Sequence, residues 1–456
     1  MSKKEQYVAA IDIGTTKIVA IVGKKNENGK IEILGLSKTP SKGVKRGVVL
    51  NIEETVTAIQ TTVEDVQKRS GILFTEVFVG IAGQHIKSMK SRGYIMREAY
   101  DDEIQKEEVF RLIEDMHKIH IDIGEEIIHV IPQNFIVDNE TGVKSPIGMC
   151  GRRLEANFHI VIGQVAAAKN IEKCIRKANL TVKDMILEPL ASSDAVLTED
   201  EKEAGVVLVD IGGGTTDVAV YYDNIIRHTA VIPFGGNVVT KDIKEGCAIL
   251  QRHAEQLKIQ YGSALGDMAP EDKVVSIPGI SGREPKEISF KSLAYIIQSR
   301  MEEIIDAVNF EIQNSGYADK LAAGVVITGG GAMLKHLTQL MKFKTAMDVR
   351  IGLPNEHLAG SAKNEINQPM YATSVGLIMR GFEYLEMYKK SFNAGSKDEF
   401  VKPKPVVPQY AEVIPEAAGT TDVFIPPVQE EEKVPLTEKI KSMLSRMFEV
   451  EDQPIK

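Results

Sequence analysis

The sequence has no tryptophan and, in 456 residues, three cysteines. Cys150, Cys174 and Cys247 stand far apart, form no CxxC pair and are odd in number. A disulfide framework is therefore not expected; the three are expected to be packing residues in a reducing compartment. Basic residues are in deficit: 55 Lys and Arg against 64 Asp and Glu leave a net charge of −9, with no basic block. That balance argues against nucleic acid as a main partner. No hydrophobic run approaches the length of a bilayer span. The apolar stretch that opens at Tyr7 is cut by Asp12 below signal-peptide length. The chain is therefore expected in the cytoplasm. The GxxxxGK[ST] phosphate loop is also missing, which gives the P-loop class no support.

What the chain does have is length enough for two or more domains, and a repeated local grammar. "VVLVDIGGGTTDVAVYY", residues 206 to 222, is a pair of strand-forming runs broken by Asp210, three glycines and two threonines. Glycines weaken strands, so they mark a place where something approaches the backbone. The free N–H groups of such a turn suit an anion, and the leading carboxylate suits a phosphate carried by magnesium. "YVAAIDIGTTKIVAIVG", residues 7 to 23, repeats the pattern with Asp12, Gly14, Thr15 and Thr16 and adds Lys17. Two such hairpins suggest duplicated halves facing one nucleotide. In "AAGVVITGGGAML", Gly329, Gly330 and Gly331 end a third apolar strand with no acidic residue beside them. They are expected to open a helix and to suit a flat neutral group such as adenine or its ribose.

Between these motifs, strands and helices alternate, as in an α/β architecture. Val56, Ile59, Val63 and Val66 lie at helical spacing in "EETVTAIQTTVEDVQKRSG", with Gly71 as the stop. From 84 to 165 the texture changes: an acidic helix, "DDEIQKEEVFRLIEDMHKI", precedes the strand-like "EIIHVIPQNFIV" and "NFHIVIG". This reads as an inserted subdomain. A long helix is expected over "SFKSLAYIIQSRMEEIIDAVNFEIQNSG".

Residues 391–435 carry Pro403, Pro405, Pro408, Pro415, Pro426, Pro427 and Pro435 without periodicity and read as a disordered linker. In 436–450, Leu436, Ile440, Met443, Leu444, Met447 and Phe448 fall on one helical face, with Lys439, Lys441 and Arg446 toward the other. A short helix is marginal in water. An anionic membrane surface both nucleates it and covers its apolar face, so membrane binding is preferred to docking on the globular part.

The ordered set "DIGTTK", "DIGGGTTDVAV" and "ITGGGA" resembles the two phosphate loops and the adenosine loop of the actin-like ATPase superfamily. Within it the chain is most similar, over about 5 to 385, to the bacterial division proteins that tether the FtsZ ring to the membrane. "LASSDAVLTEDE", "RHTAVIPFGGNVVTKDI", "KIQYGSALG" and "PMYATSVGLI" carry that similarity. It implies a two-lobed actin-like fold in which subdomain IC replaces the IB of actin. Lobe I would comprise 1–83 and 166–204, subdomain IC 84–165, and lobe II 205–390.

The resemblance further implies ATP and Mg2+ as cofactors. Asp12 and Asp210 would hold the metal, mostly through water. Gly14, Thr15, Thr16, Lys17, Gly212, Gly213, Gly214, Thr215 and Thr216 would clamp the phosphates. Gly236, Glu255, Lys258, Gly329, Gly330, Gly331 and Ala332 would surround the nucleoside, although without the resemblance Glu255 and Lys258 are read first as a solvated helical i, i+3 pair. Glu188 falls where relatives place a glutamate that orients the attacking water; a favourable first-turn charge is the alternative. Hydrolysis is expected to be slow at most.

Implied partners are the FtsZ C-terminal tail, with Arg300 as a contact, further copies of the chain in filaments, and later division proteins. The implied location is the cytoplasmic membrane face at the division site. A sugar kinase and a PilM-like assembly module are the rival readings; the second loop and the tail oppose the kinase, and the tail opposes the module.

Overall fold

In the computed structural model, residues 6–392 are described apart from 28, 99–100, 280–282, 355–357 and 360–365. The chain divides into two units, Met1–Gly395 and Ser396–Lys456, and all the described residues belong to the first. The membrane-binding residues expected at Leu436, Ile440, Met443, Leu444, Met447 and Phe448 lie outside the described residues, as does the linker expected over 391–435 from 393 onward; Ser391 and Phe392 end a helix instead.

The chain opens with the antiparallel strands β1 (Tyr7–Ile13), β2 (Lys17–Lys25) and β3 (Ile31–Pro40). In β1 and β2 both faces are covered, which is why Val8 to Ile11 and Ile18 to Val22 read as unbroken apolar runs. Strands β4 (Val44–Lys45) and β5 (Val48–Val49) form a tight hairpin ahead of α1 (Ile52–Ser70). Asn51 caps α1 by accepting the Glu54 amide at 3.2 Å, and Gly71 ends it at φ 69°. Val56, Ile59, Val63 and Val66 are all buried against the sheet, as their spacing predicts. Strand β6 (Glu76–Ile81) then pairs parallel to β1.

The next segment builds its own sheet from β7 (Lys87–Met96), β8 (Glu125–Val137), β9 (Glu140–Val143) and β10 (Arg153–Gln164), in the order β7-β10-β8-β9. Helix α2 (Lys106–Met116) covers it over a separate core that includes Ile95, Ile104, Leu112, Leu154 and Phe158. The helix starts at 106 rather than at the acidic residues from 101. The Glu108 carboxylate, which accepts the Gln105 amide at 3.0 Å, fixes the start. Pro132 sits within β8 beside a register shift, where its missing N–H is tolerated.

The first lobe resumes with α3 (Val165–Lys177), β11 (Thr181–Leu187) and α4 (Glu188–Val196), closing a sheet of order β11-β6-β1-β2-β3. Helix α5 (Glu199–Ala204) leads into the second lobe: β12 (Val206–Ile211), β13 (Thr216–Tyr222), β14 (Ile225–Ile232), α6 (Gly236–Gly246), α7 (Gln251–Tyr261), the hairpin β15 (Val274–Ile277) and β16 (Lys286–Ser289), α8 (Phe290–Ser315), β17 (Val325–Thr328), α9 (Leu337–Thr345) and β18 (Val349–Ile351). Its sheet runs β14-β13-β12-β17-β18, with the same pattern of parallel and antiparallel neighbours as the first. The duplication inferred from the two glycine turns is thus a duplication of whole sheets.

Helix α10 (Ala372–Phe392) returns to pack on α4. The two approach at backbone distance, since a Cβ on Gly376 would meet the Ala191 carbonyl oxygen. The inserted sheet is tied to β14 of the second lobe. Ser88 Oγ donates to the Thr229 carbonyl at 2.9 Å, Gln133 Nε2 to the Ile226 carbonyl at 2.9 Å, and His159 Nε2 lies 2.8 Å from Thr229 Oγ1.

The structure departs from two expectations. The glycines after β17 do not open an α-helix: Gly329, at φ 80°, enters a 3-10 turn over Gly330–Met333, and α9 begins at Leu337. Successive glycines lack the side chains that would stabilise a helical start. Of the three cysteines, Cys174 and Cys247 are buried but Cys150 is exposed, so it is not a packing residue.

Candidate functional site

Both glycine turns are loops of hairpins whose strands are buried over most of their length and lie in the interior of their sheets. Asp12 pairs across its hairpin with Val19, and Asp210 with Asp217. The turns meet at one cavity, lined by Asp12, Gly14, Thr15, Thr16, Lys17, Asp210, Gly212, Gly213, Gly214 and Thr215, with Glu188, Gly329 and Gly330 on its wall. The loops touch: a Cβ on Gly213 would lie 2.2 Å from Thr16 Cγ2, and one on Gly214 would lie 2.5 Å from Thr15 Oγ1. Only glycine fits there.

The remaining candidates sit behind this wall. Thr216 Oγ1 donates to the Phe234 carbonyl at 2.9 Å, and the Gly236 amide to the Gly212 carbonyl at 2.9 Å, which fixes the start of α6 against the second turn. Lys258 Nζ reaches the Gly236 carbonyl at 3.0 Å and Glu255 at 2.8 Å, while Glu255 accepts from Thr240. The pair is therefore half-buried and tied to α6, rather than a freely solvated helix pair. Gly331 packs on Ile211, and Ala332 is buried. Arg300 lies elsewhere, on α8, with its guanidinium held by Asp242 at 2.5 and 3.1 Å and by Glu303 at 2.5 Å.

Several cavity residues were not read from the sequence: Asp217, Gly47, Ala82, Met370 and Thr373 also line it. Ser192 Oγ donates to Asp210 Oδ2 at 2.7 Å, Thr373 Oγ1 to the same oxygen at 3.2 Å, and Ser374 Oγ to Asp12 Oδ2 at 3.2 Å. One helix, α10, thus steadies both leading carboxylates through consecutive hydroxyls. The Asp217 signal was its place opposite Asp210 in the hairpin. Thr373 and Ser374 carry no local signal.

Burial raises all four acids of the site. Removal from water pushes Asp12 and Asp210 up against the opposing pull of Lys17 and their hydroxyl donors. Glu188 and Asp217 go well above the ordinary range because the neighbouring carboxylates add repulsion to desolvation. Asp217 Oδ1 is buried with no hydrogen-bond partner. Four crowded acids, one with an unsatisfied oxygen, leave uncompensated negative charge that would favour a cation, beside glycine amides that suit phosphate oxygens. Among the described residues no three His, Cys, Asp or Glu side chains converge on one point. A hard cation would accordingly keep much of its water.

Two repeated α/β lobes with an inserted sheet define an actin-like protein. The fold matches a PilM–PilN type IV pilus biogenesis complex with a TM-score of 0.57, at 14% identity over 82% of this chain and 98% of that one. It also matches MreB5 of Spiroplasma citri bound to AMPPNP, with a TM-score of 0.51 at 14% identity, over 86% and 99%. Within that class, the cell division protein FtsA family matches residues 207–376, and the SHS2 domain inserted in FtsA matches 83–162. Cell division protein FtsA of Pseudomonas aeruginosa is 41% identical over 378 residues, covering 83% of this chain and 90% of the relative. That of Escherichia coli K12 is 35% identical over 385 residues, covering 83% and 91%. The chain belongs to the FtsA family of cell division proteins.

Proposed function

We propose that the protein binds ATP with Mg2+ between its lobes, assembles into actin-like filaments, and tethers the FtsZ ring to the cytoplasmic face of the membrane at the division site. The observation that carries the nucleotide reading is the meeting of two glycine turns, each led by a buried aspartate, at one cavity. Asp12 and Asp210 would hold the metal largely through water, Lys17 and the turn amides would bind the phosphates, and α10 would keep the two carboxylates oriented. The metal would supply charge neutralisation for the polyphosphate. The Gly329–Gly331 turn, with Lys258 and Glu255 behind Gly236, would take the nucleoside.

Glu188 lines the cavity, and Gly80 leaves its side chain room. It would orient water for slow hydrolysis, so that nucleotide controls assembly more than it supplies turnover. Arg300 would contact the acidic FtsZ tail by exchanging Asp242 for a peptide carboxylate. The apolar face from Leu436 to Phe448 would lie in the membrane interface, with Lys439, Lys441 and Arg446 toward anionic headgroups.

Titration with a fluorescent ATP analogue, with and without Mg2+, tests the cleft. Saturable, metal-dependent binding that Asp210→Ala removes is expected. Failure of the folded wild-type chain to bind would overturn the reading. Co-sedimentation with anionic vesicles and FtsZ tests the tether in the same way.

A further inference from the structure

The two-residue loop joining β4 to β5 has positive φ at both positions, 51° at Arg46 and 75° at Gly47. Two successive left-handed residues make the type I′ turn, whose favoured sequence is Asn-Gly. An arginine in the first position is strained, because its Cβ crowds the following carbonyl. Such strain beside a ligand cavity points to a use for the side chain.

The tip of this hairpin is wedged against both glycine turns. Gly47 lines the cavity, and its amide donates to Thr15 Oγ1 at 3.3 Å. A Cβ on Gly214, in the opposite lobe, would lie 3.0 Å from the Arg46 Cα. From that point the Arg46 side chain crosses to the second lobe and lies over the Phe234 ring, 5.9 Å from its centroid. Phe234 is 38% exposed and stands two residues before α6. Among the described residues no carboxylate pairs with this guanidinium; the aromatic face is its partner.

An exposed cation–π contact is weak, whereas a guanidinium facing a phosphate makes paired, charge-assisted hydrogen bonds. A polyphosphate in the cleft therefore competes easily for a cation that only an aromatic ring holds. The geometry points to Arg46 as the residue that reads the terminal phosphate of the nucleotide. It rests on Phe234 when the cleft holds a diphosphate or nothing, and turns to the third phosphate when a triphosphate is present. This assignment rests on the nucleotide reading above and gives that site its preference for triphosphate over diphosphate.

The test compares Mg-ATP and Mg-ADP affinities of the full chain by calorimetry for the wild type, Arg46→Asn and Arg46→Lys. Asparagine suits the left-handed turn, so it removes the cation and keeps the hairpin. Arg46→Asn is expected to weaken ATP at least tenfold and ADP less than twofold, with Arg46→Lys recovering part of the loss. The ATP-to-ADP ratio is a readout that mere support of the loop would not move. Equal weakening of both nucleotides, or none of either, overturns the assignment while leaving the nucleotide cleft standing. A wild type that binds neither nucleotide defeats both.

Discussion

His159 joins the inserted sheet to the second lobe, and it should make that joint sensitive to acid. The side chain is 1% exposed, its Nε2 is 2.8 Å from Thr229 Oγ1, and its Nδ1 is buried with no partner. In the charged ring both nitrogens donate, and the Nδ1–H would have no acceptor. Desolvation, reinforced by the nearby His228 and Lys90, lowers its pKa from 6.5 to about 4. The unfolded state therefore binds more protons than the folded one between these values, and stability falls as pH drops through that window. The full difference corresponds to about 3 kcal/mol, of which about 2 kcal/mol is already lost at pH 5. The contribution is fully present above pH 6.5.

Hydrogen exchange at the amides of β10 and β14, at pH 5 and pH 7.5, compares the wild type with His159→Gln, whose amide can keep the bond to Thr229. The wild-type joint should lose about 2 kcal/mol more than the variant on acidification, roughly thirtyfold in the opening equilibrium. The same pH dependence in both proteins would show that the His159 proton is not what loosens the joint.

Three other outcomes are expected. Gly213→Val drives a side chain into Thr16 across the cleft and should abolish ATP binding while circular dichroism stays native; undiminished affinity would remove this turn from the phosphate site. Phe448→Glu should shift the protein from anionic vesicles to the supernatant without changing ATP affinity, through loss of an apolar group worth up to ~1.5–3 kcal/mol when fully buried; deleting 436–456 should do the same, and continued pelleting of the deletion would reassign the segment to a protein contact. Arg300→Gln should weaken an FtsZ C-terminal peptide severalfold at low salt, and Asp242→Asn, which leaves Glu303 as the guanidinium's remaining carboxylate partner, should strengthen it; flat titrations for both would take Arg300 out of that site.

Local grammar made the framework legible. The buried strands, the glycine turns and the capped α1 follow from runs, spacing and turn chemistry that act over a few residues. The inserted sheet showed itself by a change of texture, although the start of α2 depended on a cap that the acidic residues before it obscured. The pieces missed are those that chain topology brings together. Thr373 and Ser374 stand over 160 residues from Asp210 and Asp12 in sequence, and nothing around them marks them as partners of carboxylates. Arg46 carries no signal in the sequence, because its strain exists only in the folded turn. Glu255 and Lys258 were legible as a helical pair, but their tie to the Gly236 carbonyl needed α6 and α7 in place.

The two lobes repeat each other strand for strand, yet where the second has Asp217 opposite Asp210, the first has Val19 opposite Asp12. A cleft with identical walls would offer a ligand no reason to face one way rather than the other. The second lobe brings Asp210, Asp217 and the glycine turn after β17 to the cavity, whereas the first brings Asp12 and Glu188 with Lys17 as a counter-charge. The nucleotide proposed for this cavity would therefore meet two chemically different walls. The two turns share one local grammar, and the side chains opposite and beside each of them give the molecule a front and a back.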